Sequence, residues 1–66
     1  MRDKNDRELH IGDTVELQHW ETPTQFVAVT GEIISSVDCH EGGYSLNIKV
    51  KSKIWRRFDD EVELII

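Results

Sequence analysis

The sequence predicts an all-β domain, a small five-stranded barrel. Val15, Leu17 and His19 alternate with polar residues, and Tyr44, Leu46, Ile48 and Val50 do so without a break. No window carries the i, i+3, i+4, i+7 apolar stripe of an amphipathic helix. At 66 residues and 38% hydrophobic content, the chain has enough apolar material for one core and not for two.

The elements follow in order. Residues 1–8 (MRDKNDRE) are polar and aperiodic, which predicts a flexible N-terminal arm, with the domain proper spanning residues 9–66. After a Gly12-Asp13 turn, the alternation from Thr14 predicts a first strand ending near Trp20. Glu21-Thr22-Pro23-Thr24 holds the one proline and reads as the loop that reverses the chain. From Gln25 to Val37, Val27, Val29, Ile33 and Val37 fall on one face, and Gly31 marks the place for a bend or a close backbone approach. Asp38 to Gly43 is polar and ends in two glycines, a turn leading into the strand from Tyr44 to Lys51.

Ser52-Lys53 then turns the chain into a fourth strand, Ile54 to Phe58, hairpin-paired to the third. Asp59-Asp60-Glu61 suits one turn of 3₁₀ helix with carboxylates near its start, and Val62, Leu64 and Ile66 form a last short strand. Five short strands leave fewest exposed edges when they curl into a barrel.

Composition narrows the function. The single Cys39 excludes an intramolecular disulfide and points to a reducing, cytoplasmic setting. No charged opening followed by an apolar core marks a signal peptide, and no apolar run has membrane-spanning length, so a membrane role is not expected. Net charge is −5, but residues 8–48 hold seven acids and no Lys or Arg, whereas residues 49–57 hold five bases and no acid. An acidic chain argues against a dedicated nucleic-acid binder, and the basic island keeps that alternative open.

Three segments together resemble a known family: Ile11-Gly12-Asp13-Thr14-Val15-Glu16-Leu17, Val29-Thr30-Gly31-Glu32-Ile33-Ile34, and Trp55 through Ile65 with its Asp-Glu-Val-Glu-Leu-Ile close. They are similar to the SH3-like barrels of the KOW type and their small bacterial and phage relatives, over about residues 9–66. The resemblance implies an SH3-like barrel with a short 3₁₀ turn before the last strand. Roles within such barrels range over ribosomal, transcriptional and protein-binding work. RNA-binding KOW modules carry basic residues in the loop between the first two strands, where this chain has Glu21-Thr22-Pro23-Thr24.

Two residue sets are candidates for binding. Trp20, Tyr44 and Trp55 would form an aromatic protein-binding surface, with Trp20 and Trp55 expected to be the exposed pair; the same rings could instead fill the core. Lys49, Lys51, Lys53, Arg56 and Arg57 form a strip that could follow a phosphate backbone, or could pair with acids across strands. His10, His19, Cys39 and His40 lack metal-ligand spacing, and neither Cys39 nor the acidic trio sits in a recognisable catalytic motif. The expectation is a protein-interaction module, monomeric or weakly dimeric, without enzymatic activity, metal or cofactor. Nucleic-acid binding through the basic strip is the alternative, and an acidic mimic of nucleic acid that inhibits a basic protein is a further one.

Overall fold

A computed structural model describes residues 1–39 and 42–65. Its five strands are β1 (Thr14–Thr22), β2 (Gln25–Asp38), β3 (Tyr44–Val50), β4 (Lys53–Phe58) and β5 (Glu63–Leu64), with a 3₁₀ turn over Asp59–Glu61. All pairings are antiparallel, and the sheet order is β4-β3-β2-β1-β5. The all-β fold, the strand count and the 3₁₀ turn agree with the expectation. Among the described residues no ladder joins β4 to β5, so hydrogen bonds there do not close the sheet.

The sheet folds on itself because β2 serves two partners in succession. Its first part, Gln25 to Glu32, pairs with β1, and Glu32 to Asp38 pairs with β3. The handover occurs beside Gly31, where a Cβ would stand 2.7 Å from both Ile48 Cγ2 and the Lys49 carbonyl oxygen. Glycine is required here by close approach. A register shift between Ile33 and Ser35 adds a bulge just beyond. Bulges of this kind bend a strand and raise its twist.

The bulge also moves side chains. Ile33 faces inward opposite Ile48, but beyond the extra residue Ser36 lies opposite Leu46 and Val37 opposite Ser45. Val37, expected on the face of Ile33, is therefore 58% exposed on the outer side.

Inside, Leu9, Val15, Leu17, Ile33, Leu46, Ile48, Val50 and Val62 form one buried cluster, with Met1, Val29, Tyr44, Trp55 and Leu64 packed against it. β1, β3 and the return segment at Val62 supply it through the alternation read from sequence.

The first eight residues carry backbone contacts to the rest of the chain. They form a compact loop held to the end of the sheet: Leu9 N–H donates to the Met1 carbonyl, Lys4 N–H to the Val62 carbonyl, and Arg2 bridges to Glu8. At its centre Asp3 is buried, with 4% exposure. Its Oδ1 accepts from the Asn5 and Arg7 amides (2.9 and 2.8 Å) and its Oδ2 from the Leu64 amide (2.7 Å). A polar composition predicts detachment only if the segment has nothing to bind. Here one carboxylate satisfies three backbone donors, one of them on β5.

Candidate functional site

The β1–β2 hairpin extends past the core. Its two-residue turn, Pro23-Thr24, is tighter than the expected four-residue loop, because Glu21 and Thr22 continue β1. The Thr22 hydroxyl accepts from the Thr24 and Gln25 amides and fixes this reversal. The register then sets Trp20 opposite Phe26 on the outer face. Their rings meet at 4.9 Å and both are half exposed, at 55% and 50%.

Trp55 is not the exposed partner of Trp20. It pairs across from Ile48, which places it on the inner face of β4, half-buried against the core. The His19 ring lies 4.5 Å away and the Arg57 guanidinium 5.6 Å above the indole. The exposure expected of Trp55 falls instead to its neighbours of opposite parity: Ile54 and Phe58 are 55% and 51% exposed. β3 ends at Val50, with Lys51 and Ser52 forming the turn, so β4 begins at Lys53 and aligns Trp55 with Ile48.

Tyr44 is half-buried at the far end of β3, opposite Asp38. Trp55 aligns with Ile48, four residues along the same strand, a separation of roughly 13 Å. With Trp20 on the outer side of β1, the three aromatic candidates are dispersed. The aromatic neighbour of Trp20 is Phe26, which only the hairpin register reveals.

The five cations are spread along the β3–β4 hairpin and do not share one face. Lys49 and Arg56 project outward, Lys53 and Arg57 take the inner parity, and Lys51 occupies the turn with φ of 57° instead of continuing β3. Among the described residues none of the five forms an ion pair. The ion-pair contacts there are Arg2 with Asp6 and His10 with Glu8 and Asp13, none of which involves a β4 residue. Arg57 instead donates from Nη1 to the Arg56 carbonyl at 2.8 Å.

These elements enclose a groove of about 490 Å³ lined by Gln18, Trp20, Arg56, Arg57 and Glu61. Its walls are two strand edges without a ladder between them. β5 covers β1 only at Val15 and Glu16, so the stretch from Gln18 is open on that side, and β4 has β3 as its single neighbour. Glu61, at the end of the 3₁₀ turn, accepts the Phe58 amide at 2.8 Å. Its place in the groove, like that of Gln18, follows from how β1 and β4 converge and has no signature in local sequence.

A second cavity, about 760 Å³, separates the N-terminal loop from the 3₁₀ turn and includes Arg2, Asp3, Asp59 and Asp60. Asp3 contributes little free valence there. Burial pushes its pKa up, but the Leu64, Arg7 and Asn5 amides together with the nearby Arg7 charge outweigh this and hold the carboxyl below its ordinary value. Asp59 is also buried, with Oδ1 accepting from the Asp60 amide.

Among the described residues no group of three His, Cys, Asp or Glu side chains converges as a metal site; His40 lies outside those residues. Cys39 is half-buried and unpaired, and no helix there is long and apolar enough to cross a membrane. Compared with protein-family models, curated proteins and solved structures, the chain matches none of them.

Proposed function

We propose that the chain is a non-enzymatic protein-interaction module, an SH3-like barrel of the KOW type that receives a partner protein at the groove between the β1–β2 hairpin and β4. Four strands in a meander, a 3₁₀ turn and a return strand beside β1 support the barrel assignment. The observation that carries the function is the pair of open edges flanking the groove, with Trp20 in its lining and Phe26, Ile54 and Phe58 exposed on the same two hairpins. An uncovered strand edge is a template for pairing, and exposed aromatics beside it provide anchoring area. A reducing compartment such as the cytoplasm fits the lone Cys39.

Photocrosslinking in the organism that encodes the protein tests this. A benzophenone side chain at Trp20 or Ile54 should capture one protein, and the same group at exposed His10 should not. Equal labelling from all three positions, or none from Trp20 and Ile54, would refute the reading.

Nucleic-acid binding is favoured by one observation, that among the described residues Lys49, Lys51, Lys53, Arg56 and Arg57 form no ion pair. It requires affinity that falls with log salt in proportion to the phosphates contacted. A gel shift insensitive to salt and to Lys49→Glu with Arg56→Glu would dismiss it.

A further inference from the structure

We infer that the occupant of the groove is an extended acidic segment of the partner, added as a sixth strand along β4. This rests on the protein-interaction reading and specifies the partner's chemistry.

Hydrogen bonds establish which backbone groups of β4 are available. The Phe58 amide donates to Glu61 Oε1 and the Arg56 carbonyl accepts from Arg57 Nη1, so both point away from β3. In an antiparallel ladder the amide and carbonyl of one residue point to the same side, and sides alternate along the strand. Ile54, Arg56 and Phe58 therefore present their backbone groups to the open edge. Two of those groups are capped by the charged side chains of Glu61 and Arg57, which can be exchanged for an incoming strand.

Charge selects among possible strands. β4 carries Lys53, Arg56 and Arg57, no acid, and among the described residues no ion pair. A second copy pairing β4 to β4 would set three cations against three, and like charges across a ladder are unfavourable. Basic edges guard against such self-pairing. An acidic strand meets the opposite sign, and a carboxylate can draw Arg57 from the Arg56 carbonyl into a charge-assisted pair.

Alternation also gives a pattern. Ile54, Arg56 and Phe58 share the outer face, and Lys53, Trp55 and Arg57 the inner parity. The complementary antiparallel strand reads apolar, acid, acid, apolar, apolar, acid from its N-terminal end, the acids facing Arg57, Arg56 and Lys53. Glu61 opposes this ligand, since its carboxylate holds the Phe58 amide and adds a like charge to the groove.

The probe is a capped synthetic peptide of that pattern, titrated into the isotope-labelled full chain and followed by amide shifts and hydrogen exchange. Added protection at Ile54, Arg56 and Phe58 is expected. Arg56→Glu and Lys53→Glu, both at exposed positions, should each weaken binding by about tenfold or more. Glu61→Ala should tighten it by roughly threefold to tenfold, a gain that simple loss of structure cannot mimic. Thermal melts verify that the variants fold.

Indifference to both reversals, protection confined to other strands, or binding of oligothymidylate with none of the peptide would overturn the inference. Capture of a protein from Trp20 with no affinity for the peptide would sink the acidic-strand inference alone. Absence of any captured protein would sink both readings.

Discussion

Asp3→Asn removes one negative charge from the buried end of the domain while nearly preserving side-chain shape, and its effect can be worked from three hydrogen bonds. The carboxylate accepts two amides on Oδ1 and one on Oδ2. Asparagine retains one acceptor oxygen. If that oxygen keeps Asn5 and Arg7, an amide NH₂ faces the Leu64 N–H and leaves it unsatisfied. A hydrogen bond to a charged group contributes about 1.5–3 kcal/mol, and an orphaned buried donor costs about 1–3 kcal/mol. The net loss should be about 2–4 kcal/mol, a large share of the roughly 3–10 kcal/mol expected for a chain of this length. The assay is urea unfolding followed by tryptophan emission, with Asp6→Asn as control. Asp6 pairs with Arg2 at 3.6 Å on the surface and should cost at most about 0.5 kcal/mol. Because the folded pKa of Asp3 is depressed, its stabilisation is fully present above the unfolded value of about 4 and is lost as pH falls through the folded value. Asp3→Asn should flatten that acid limb. A midpoint and acid limb unchanged from the parent would refute the view that Asp3 fastens the first eight residues to β5.

Three further perturbations test other parts of the fold. Gly31→Ala should destabilise by about 2–3 kcal/mol in the same assay, because the new methyl meets the Lys49 carbonyl and two core methyls within 2.8 Å; a neutral result would mean that the β2 corner opens easily. Lys51→Gly should raise stability by about 0.5–1 kcal/mol, since φ of 57° strains a side chain in a two-residue turn, and a lower midpoint would count against that geometry. Trp20→Ala should shift stability by less than about 1 kcal/mol whereas Trp55→Ala costs about 2–4 kcal/mol, and iodide should quench Trp20 more than Trp55.

The parts of the fold legible in sequence are those governed by unbroken period-two alternation. Val15, Leu17, Leu46, Ile48 and Val50 are buried as their spacing requires, and Asp59-Asp60-Glu61 forms the 3₁₀ turn that its acids favour. Alternation fails wherever one residue is gained or lost, because each such event exchanges the faces. One bulged residue at Ile34 turned Val37 outward, and that event has no marker as visible as glycine or proline; Trp55 faces inward because the hairpin sets it opposite Ile48. Asp3 was illegible for a different reason. Its partners are backbone amides, one of them 61 residues away, and backbone donors leave no trace in composition.

The same distinction explains why the candidate site was half visible. A run of five bases with no intervening acid can be counted from the chain, but its meaning depends on where the strand lies in the sheet. In a central strand those cations would have neighbours on both sides and could be absorbed into cross-strand pairs. β4 lies at an edge, so its basic residues repel a second copy and leave an opening for an acidic chain. Trp20 gains significance in the same way, because β5 begins only at Glu63, opposite Glu16, and leaves the distal part of β1 uncovered beside Arg56 and Arg57. Sheet order, a property of the whole chain, thus converts a feature of composition into a directional surface.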